Sequence, residues 1–148
     1  MTTFTATNPA YADVVRSGLL SYPIARFLDI SFGRIEPGRV EVFLPYREQL
    51  SVGAGIFQAG IVGLLADVAA GAAAGTLLPP GYGMMTADYT VKLLAPAQGE
   101  RLVARGEVVR PGRTLIVSRA DVFAVRQGDE RLCATALATI MTMQERKE

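Results

Sequence analysis

The chain is expected to form one α+β domain in which a curved antiparallel sheet wraps around a long central apolar helix. Three features of the sequence lead there. The run from Ala59 to Ala74, AGIVGLLADVAAGAAA, is apolar at every position except Asp67 and lacks the polar face of a surface helix, so it has to be covered nearly all round. Segments before and after it alternate apolar and polar residues at the strand period and can supply that cover. No repeat, low-complexity tract or linker interrupts the 148 residues, so residues 1–148 read as a single domain with residues 1–7 as a flexible tail.

Taken in order, Asn8 followed by Pro9 suits a helix N-cap with proline at the first helical position. Tyr11, Val14, Val15 and Leu19 then share one face of a short amphipathic helix. Asp29 to Glu36 and Arg39 to Pro45 flank Pro37-Gly38, and Val40, Val42 and Leu44 alternate with Arg39, Glu41 and Phe43, which predicts a hairpin. The apolar helix comes next. Gly53 to Leu78 is long enough to span a bilayer, but its Ala and Gly insert poorly compared with Leu, and no basic cluster flanks it. A helix inside a sheet, with no membrane partner, is therefore favoured over a membrane span.

Beyond the helix, Met85, Ala87, Tyr89, Val91 and Leu93 alternate with Thr86, Asp88, Thr90 and Lys92, the pattern of a strand with one apolar and one polar face. Leu102 to Arg110 and Thr114 to Val125 are joined by Arg110-Pro111-Gly112-Arg113, read as a type II turn with glycine at the positive-φ position. Arg126-Gln127-Gly128-Asp129 marks another turn. In the last strand, Leu132 to Thr142, the residues Ala134, Ala136, Ala138 and Ile140 line one side, small enough for a helix to pack close. The expected order is helix, two strands, long buried helix, four strands.

Composition narrows the chemistry. With no histidine there is no Ser-His-Asp or Cys-His hydrolase, no imidazole-ligated metal and no histidine-dependent dehydratase. The single Cys133 forbids an internal disulfide and a multi-cysteine zinc site, and no base beside it makes it a nucleophile, so it reads as structural. Fifteen basic against 14 acidic residues give a formal charge of +1 without a basic stripe, which argues against a nucleic-acid partner. The first fifteen residues lack a basic segment followed by an apolar run, so a cytoplasmic protein is expected. No metal or cofactor is called for.

Asp67 is the leading candidate for chemistry, because a lone carboxylate in an apolar helix is costly unless it is paired or used. Its structural alternative is a buried Asp held by backbone amides or by an arginine of a neighbouring strand. Phe57-Gln58-Ala59-Gly60, after the flexible Val52-Gly53-Ala54-Gly55, stands where the helix begins, and the first amides of a helix are unpaired donors able to hold a developing oxyanion. The plain alternative is a glycine-rich entry loop. Gln58 and Asp67 lie about 13 Å apart along a helix that rises 1.5 Å per residue, too far to act on one small bond. Either only one of them matters, or a second subunit brings its own copy alongside.

Gln58-Ala59-Gly60, Leu65-Ala66-Asp67, Thr86-Ala87-Asp88 and the run Leu94-Ala95-Pro96-Ala97-Gln98-Gly99-Glu100-Arg101-Leu102 resemble the hotdog-fold acyl-CoA thioesterases of the phenylacetate-pathway, PaaI-like type. The hairpin from Arg105 to Arg113 is similar too, so the resemblance covers about residues 30 to 143. It implies that Asp67 activates water or attacks the thioester carbonyl, that the Ala59 amide polarises that carbonyl, and that Thr86 orients the water or the carboxylate. It also implies a homo-oligomer, a dimer or tetramer, in which the turn of one subunit faces the acid of its partner, with an acyl-CoA as substrate. Gln58 stands where the family usually has histidine, and its amide can donate a hydrogen bond but cannot titrate. Val52 is apolar where many relatives carry Asn or Gln.

For the rest of the substrate, Val52 and Phe57 of the entry segment are candidates for contacts with it, and Met84 and Met85 beside Thr86 for an acyl pocket, with core packing as the alternative for the methionines. Arg110 and Arg113, with Arg101 and Arg105 nearby, are candidates for CoA phosphates, with a solvated strand end as the alternative. Two functions follow: a thioesterase for a small or medium acyl- or aroyl-CoA, or a non-catalytic relative that binds an acyl thioester or lipid. A dehydratase is disfavoured by the missing histidine.

Overall fold

A computed structural model describes residues 2–147. Two short helices, α1 (Tyr11–Ser21) and α2 (Pro23–Phe27), lead into β1 (Ser31–Glu36) and β2 (Arg39–Pro45). A single 3-10 turn at Glu48–Leu50 precedes α3 (Ala59–Gly75), after which β3 (Tyr82–Leu93), β4 (Arg101–Arg110), β5 (Leu115–Arg126) and β6 (Asp129–Gln144) complete the chain. The strands make one antiparallel sheet in the order β1-β2-β4-β5-β6-β3, curved around α3, so the expected hotdog architecture is present. The strand that follows α3 is carried to the far edge of the sheet and pairs only with β6.

Alternation buries Val40, Val42 and Leu44 of β2, and Ala134, Ala136, Ala138 and Ile140 of β6, against the helix side. From α3 the fully buried residues are mostly alanine, with Leu65 the largest. Small residues on both surfaces let the backbones approach closely: a Cβ at Gly106 of β4 would strike the carbonyl oxygen of Ala69. The helix C-terminus is tied to the first hairpin by buried Thr76, whose hydroxyl donates to the Ala73 carbonyl at 2.6 Å and accepts from the Gly38 amide at 2.7 Å. Gly38 turns that hairpin with φ of +78°, a conformation open to glycine.

Several local expectations are corrected. The first helix begins at Tyr11; Asn8 instead organises the turn before it, its Oδ1 accepting from the Ala10 amide at 3.0 Å and its carbonyl from Tyr11 at 3.1 Å. Gly112 does not take a positive φ, so the β4–β5 connection is no type II turn. Glycine is required there because a Cβ would meet the Leu115 carbonyl oxygen. The segment taken for a flexible tail lies against the sheet: Phe4 packs on the core beside the Cβ-less Gly38, and the Thr2 carbonyl accepts from Arg39 at 3.3 Å, while Met1 lies outside the described residues. The single apolar face foreseen for β3 is split, because the register with β6 slips between Thr86 and Asp88. A bulged strand needs one extra residue, here Ala87, and every side chain beyond it changes face.

Candidate active site

The register slip in β3 builds the site. Met84 and Thr86 pair with Thr142 and Ile140 on the helix side of the sheet, and Ala87 absorbs the extra position before Tyr89 and Val91 return to that side. Thr86 thus faces α3, where its Oγ1 donates to Asp67 Oδ1 at 2.7 Å. Among the described residues that hydroxyl is the only hydrogen-bond donor to Asp67, and no cation forms an ion pair with it. The arginine-paired alternative for Asp67 is therefore absent. One carboxylate oxygen is held at a fixed angle and the other remains available for a proton or an electrophile.

Asp67 also marks the side of α3 that the sheet leaves uncovered. Ile61, Leu64, Asp67 and Val68, spaced three and four residues apart, are half-buried, whereas the residues between them are mostly sealed. Beside this stripe lies a cavity of about 750 Å³ bounded by α1, α3 and the first half of β3. Asp67, Thr86 and Met84 line it; Met85 borders it as well, but stands 56% exposed on the opposite, outer face of β3. Its remaining wall is largely apolar, with Val14, Val15 and Leu19 from α1 and Gly71 and Gly75 from α3. A pocket of this size, mostly greasy with a few convergent polar groups, is the usual form of a small-molecule site.

At the other end of the uncovered side, α3 starts with a device the sequence concealed. Gln58 is the N-cap: its Oε1 accepts from the Gly60 amide at 2.6 Å and the Ile61 amide at 3.3 Å. Gly60 permits this, since a Cβ there would come within 2.8 Å of that oxygen. Two of the early helix amides are therefore satisfied internally, and the exposed Ala59 amide, without a partner among the described residues, is the donor left over. The entry loop is rigidly placed: Gly53, Ala54 and Gly55 all have positive φ, the Gln98 side chain donates to the Ala54 carbonyl at 2.7 Å, and the Phe57 amide donates to Ala97 at 2.9 Å.

Within one protomer these two groups stay apart, since Ala59 and Asp67 are separated by about 12 Å of helix at 1.5 Å per residue. The cavity walls do not include Gln58, Ala59 or Gly60. Val52 stands 66% exposed at the loop tip, away from the cavity. Phe57 is buried in the core, its ring edge-on to Tyr46 with centroids 5.3 Å apart. Arg110 and Arg113 are exposed at the β4–β5 hairpin, outside the cavity, and among the described residues neither forms an ion pair. Arg105 is committed elsewhere, bidentate to Glu130 at 2.7 Å and bonded to Glu41 at 2.9 Å. Cys133 is buried, donates to the Val122 carbonyl at 3.2 Å, and loss of solvent pushes its thiol up to about 11, as an inert structural thiol requires. Sequence reasoning missed the contribution of α1 to the cavity; its apolar spacing was visible, but the spacing does not say that half of this face borders open space.

The thioesterase superfamily model matches residues 55–134, which take in the end of the entry loop, α3, β3 to β5 and the start of β6. The chain belongs to the thioesterase superfamily. The match runs through Asp67 and Thr86, and this membership makes the protein a thioester hydrolase of hotdog fold. A thioesterase family protein from Silicibacter pomeroyi is 40% identical, covering 90% of this chain and 98% of its own, with a TM-score of 0.88. The PaaI protein of the phenylacetic acid degradation operon of E. coli superposes with a TM-score of 0.81 over 95% of this chain and 98% of its own, at 18% identity, a likeness of fold alone. A Saccharolobus solfataricus protein whose name assigns it to the esterases is 28% identical over 116 residues, 78% of this thioesterase and 80% of the relative. No helix among the described residues is long and apolar enough to cross a membrane.

Proposed function

We propose that this thioesterase hydrolyses a small or medium acyl- or aroyl-CoA to the free acid and CoA, as a cytoplasmic homo-oligomer whose site forms between two subunits. The observation that carries the reading is the Asp67 carboxylate, held by Thr86 at 2.7 Å, without an ion-pair partner among the described residues, and lining an apolar cavity. Asp67 activates water for attack on the thioester carbonyl, or attacks that carbonyl itself, expelling the CoA thiolate and leaving a mixed anhydride that water then hydrolyses to the free acid and the restored carboxylate. In the first case water loses a proton to the carboxylate, the carbonyl becomes a tetrahedral oxyanion, and its collapse expels the CoA thiolate, which takes up the proton. The Ala59 amide of a second copy stabilises the oxyanion at the start of α3, where the helix dipole adds a partial positive charge.

Two features support assembly. The twelve-residue edge strand β3 has one side without a strand partner, a template for pairing with another chain. Exposed Met85, Leu115 and Leu137 add apolar area on the outer sheet face, favouring a dimer and its further association into a tetramer.

Release of CoA thiol from an acyl-CoA panel tests the reading. The wild-type protein turns over, and Asp67→Asn, which preserves shape and hydrogen bonding to Thr86, lowers kcat about a hundredfold or more, as expected for loss of a general base. An Asp67→Asn enzyme with undiminished turnover contradicts it.

A further inference from the structure

Beyond its bulge, β3 is exposed on both faces. On the helix side Tyr89 stands 45% and Leu93 55% exposed, whereas Val40, Val42 and Leu44 on the same side of β2 are sealed. On the outer side Asp88, Thr90 and Lys92 follow one another opposite Thr139, Leu137 and Thr135 of β6. Asp88 and Lys92 lie about 13 Å apart along the strand, too far to pair with each other. Among the described residues neither forms an ion pair, while the charges beside them are engaged: Arg119 donates to Glu107 at 2.8 Å and Asp121 accepts from Thr135 at 2.7 Å. The Leu94 amide donates to the Cys133 carbonyl at 2.8 Å. By the alternation of an antiparallel ladder, the main-chain groups of Lys92 and Thr90 also turn to β6, and those of Tyr89, Val91 and Leu93 turn to the open edge.

Resting on the two-subunit reading of the site, we propose that two copies of this chain join by antiparallel pairing of their β3 strands with Thr90 opposite the partner's Thr90, so that Asp88 of each copy meets the partner's Lys92. Charge complementarity and the site geometry select this register independently. A Cβ at Gly63 would lie 3.9 Å from Tyr89 and 3.7 Å from Val91, the residues that bracket Thr90, and Asp67 further along α3 is bonded to Thr86. Gly63 is the midpoint between Ala59 and Asp67, about 6 Å of helix from each. A two-fold axis through Thr90, normal to the sheet, therefore brings the partner's Ala59 level with Asp67 along the strand direction. Moving the centre by one residue, to Tyr89 or Val91, slides the partner by two residues, about 7 Å. It also sets Asp88 against the partner's Thr90 or the partner's Leu94, and the charge pair is lost.

The test uses the full-length protein altered only at exposed positions. Thr90→Cys is expected to form an intermolecular disulfide on mild oxidation, because a self-opposed, non-hydrogen-bonded pair holds its Cα atoms about 4.5 Å apart. Lys92→Cys should stay unlinked, its two copies being about 13 Å apart along the strands. Cys133 is buried and does not compete. Asp88→Lys and Lys92→Asp each oppose like charges twice per dimer and should raise the dissociation constant roughly tenfold in sedimentation equilibrium. Mixed together, the two variants regain opposite charges at both contacts. Mass-tagged copies should then form heterodimers well beyond the roughly half that random two-fold pairing gives. No cross-linking of Thr90→Cys, equal cross-linking of Lys92→Cys, or random pairing in the mixture would overturn the register. Cross-linking and pairing are read without substrate, so failure of the hydrolytic reading leaves them standing, and their failure leaves the chemistry of Asp67 to its own assay.

Discussion

The two sides of α3 are made of the same residues and do opposite things. Towards the sheet, Ala66, Ala69, Ala70 and Ala73 are fully buried, and the helix presses so near β4 that Gly106 has no room for a methyl group. Towards α1 and the edge strand, Leu64, Asp67 and Val68 are only half-covered, and Gly71 faces a cavity of about 750 Å³. Small residues on the first side exist to bring backbones together, and on the second to leave space. A composition of Ala and Gly does not tell these uses apart; the partner surface does.

The contrast can be broken hardest on the sealed side. Gly106→Val forces side-chain carbons into the Ala69 carbonyl, and overpacking of that kind is expected to cost about 3 kcal/mol, read as a lower urea midpoint. The corresponding Gly71→Val on the open side should leave the midpoint near the wild-type value while changing substrate preference, so equal destabilisation by both would erase the distinction. Next in size is Thr86. Thr86→Val keeps the shape but frees Asp67 to rotate, and kcat should fall roughly ten- to a hundredfold, the range for a misplaced reacting group. Thr86→Ser restores the hydroxyl and most of the rate; a purely structural threonine would show no such rescue.

The smallest effect lies on the outer face, remote from both sides of the helix. The Arg119 guanidinium, hydrogen-bonded at 2.8 Å, holds the Glu107 carboxyl below its ordinary value of 4.5, with Arg39 helping at 3.1 Å. A carboxyl whose folded pKa is depressed contributes stability that is complete above the unfolded value and is lost as pH falls through the folded one. Glu107→Gln should therefore flatten the loss of thermal stability below about pH 4.5, by less than about 1 kcal/mol because the pair is partly solvated, and leave turnover unaltered.

The fold was legible because α3 and the strands carry strong periodic signals: a polar-faceless run of Ala59 to Ala74 has one soluble solution, and β2 and β6 alternate cleanly. Asp67 was legible for the same reason, as the one charge in that run. What failed was local. The bulge at Ala87 has no residue signature, yet it decides that Thr86 meets Asp67 while Met85 faces the other way. Gln58 was read through a resemblance as a catalytic amide donor in the place of a histidine, and a side chain long enough to fold back and accept from Gly60 and Ile61 was not foreseen as a cap, a position usually held by shorter residues. Phe57 was expected to touch substrate, although its neighbour in space, Tyr46, is eleven positions earlier in the chain, a contact that sequence spacing does not reveal.

The central claim is that Asp67 of one subunit works with the Ala59 amide of another, and it can be tested by mixing two inactive proteins. Ala59→Pro removes the N–H at the first helical position, where proline fits, and Gln58 before it already has the extended backbone that proline requires. Co-refolded with Asp67→Asn, it should regain about a quarter of wild-type activity, since about half of randomly formed two-fold pairs are mixed and each of these has one intact site. If the mixture stays as inactive as its two components, with mixed pairs verified by mass spectrometry, Asp67 and Ala59 do not act across the interface.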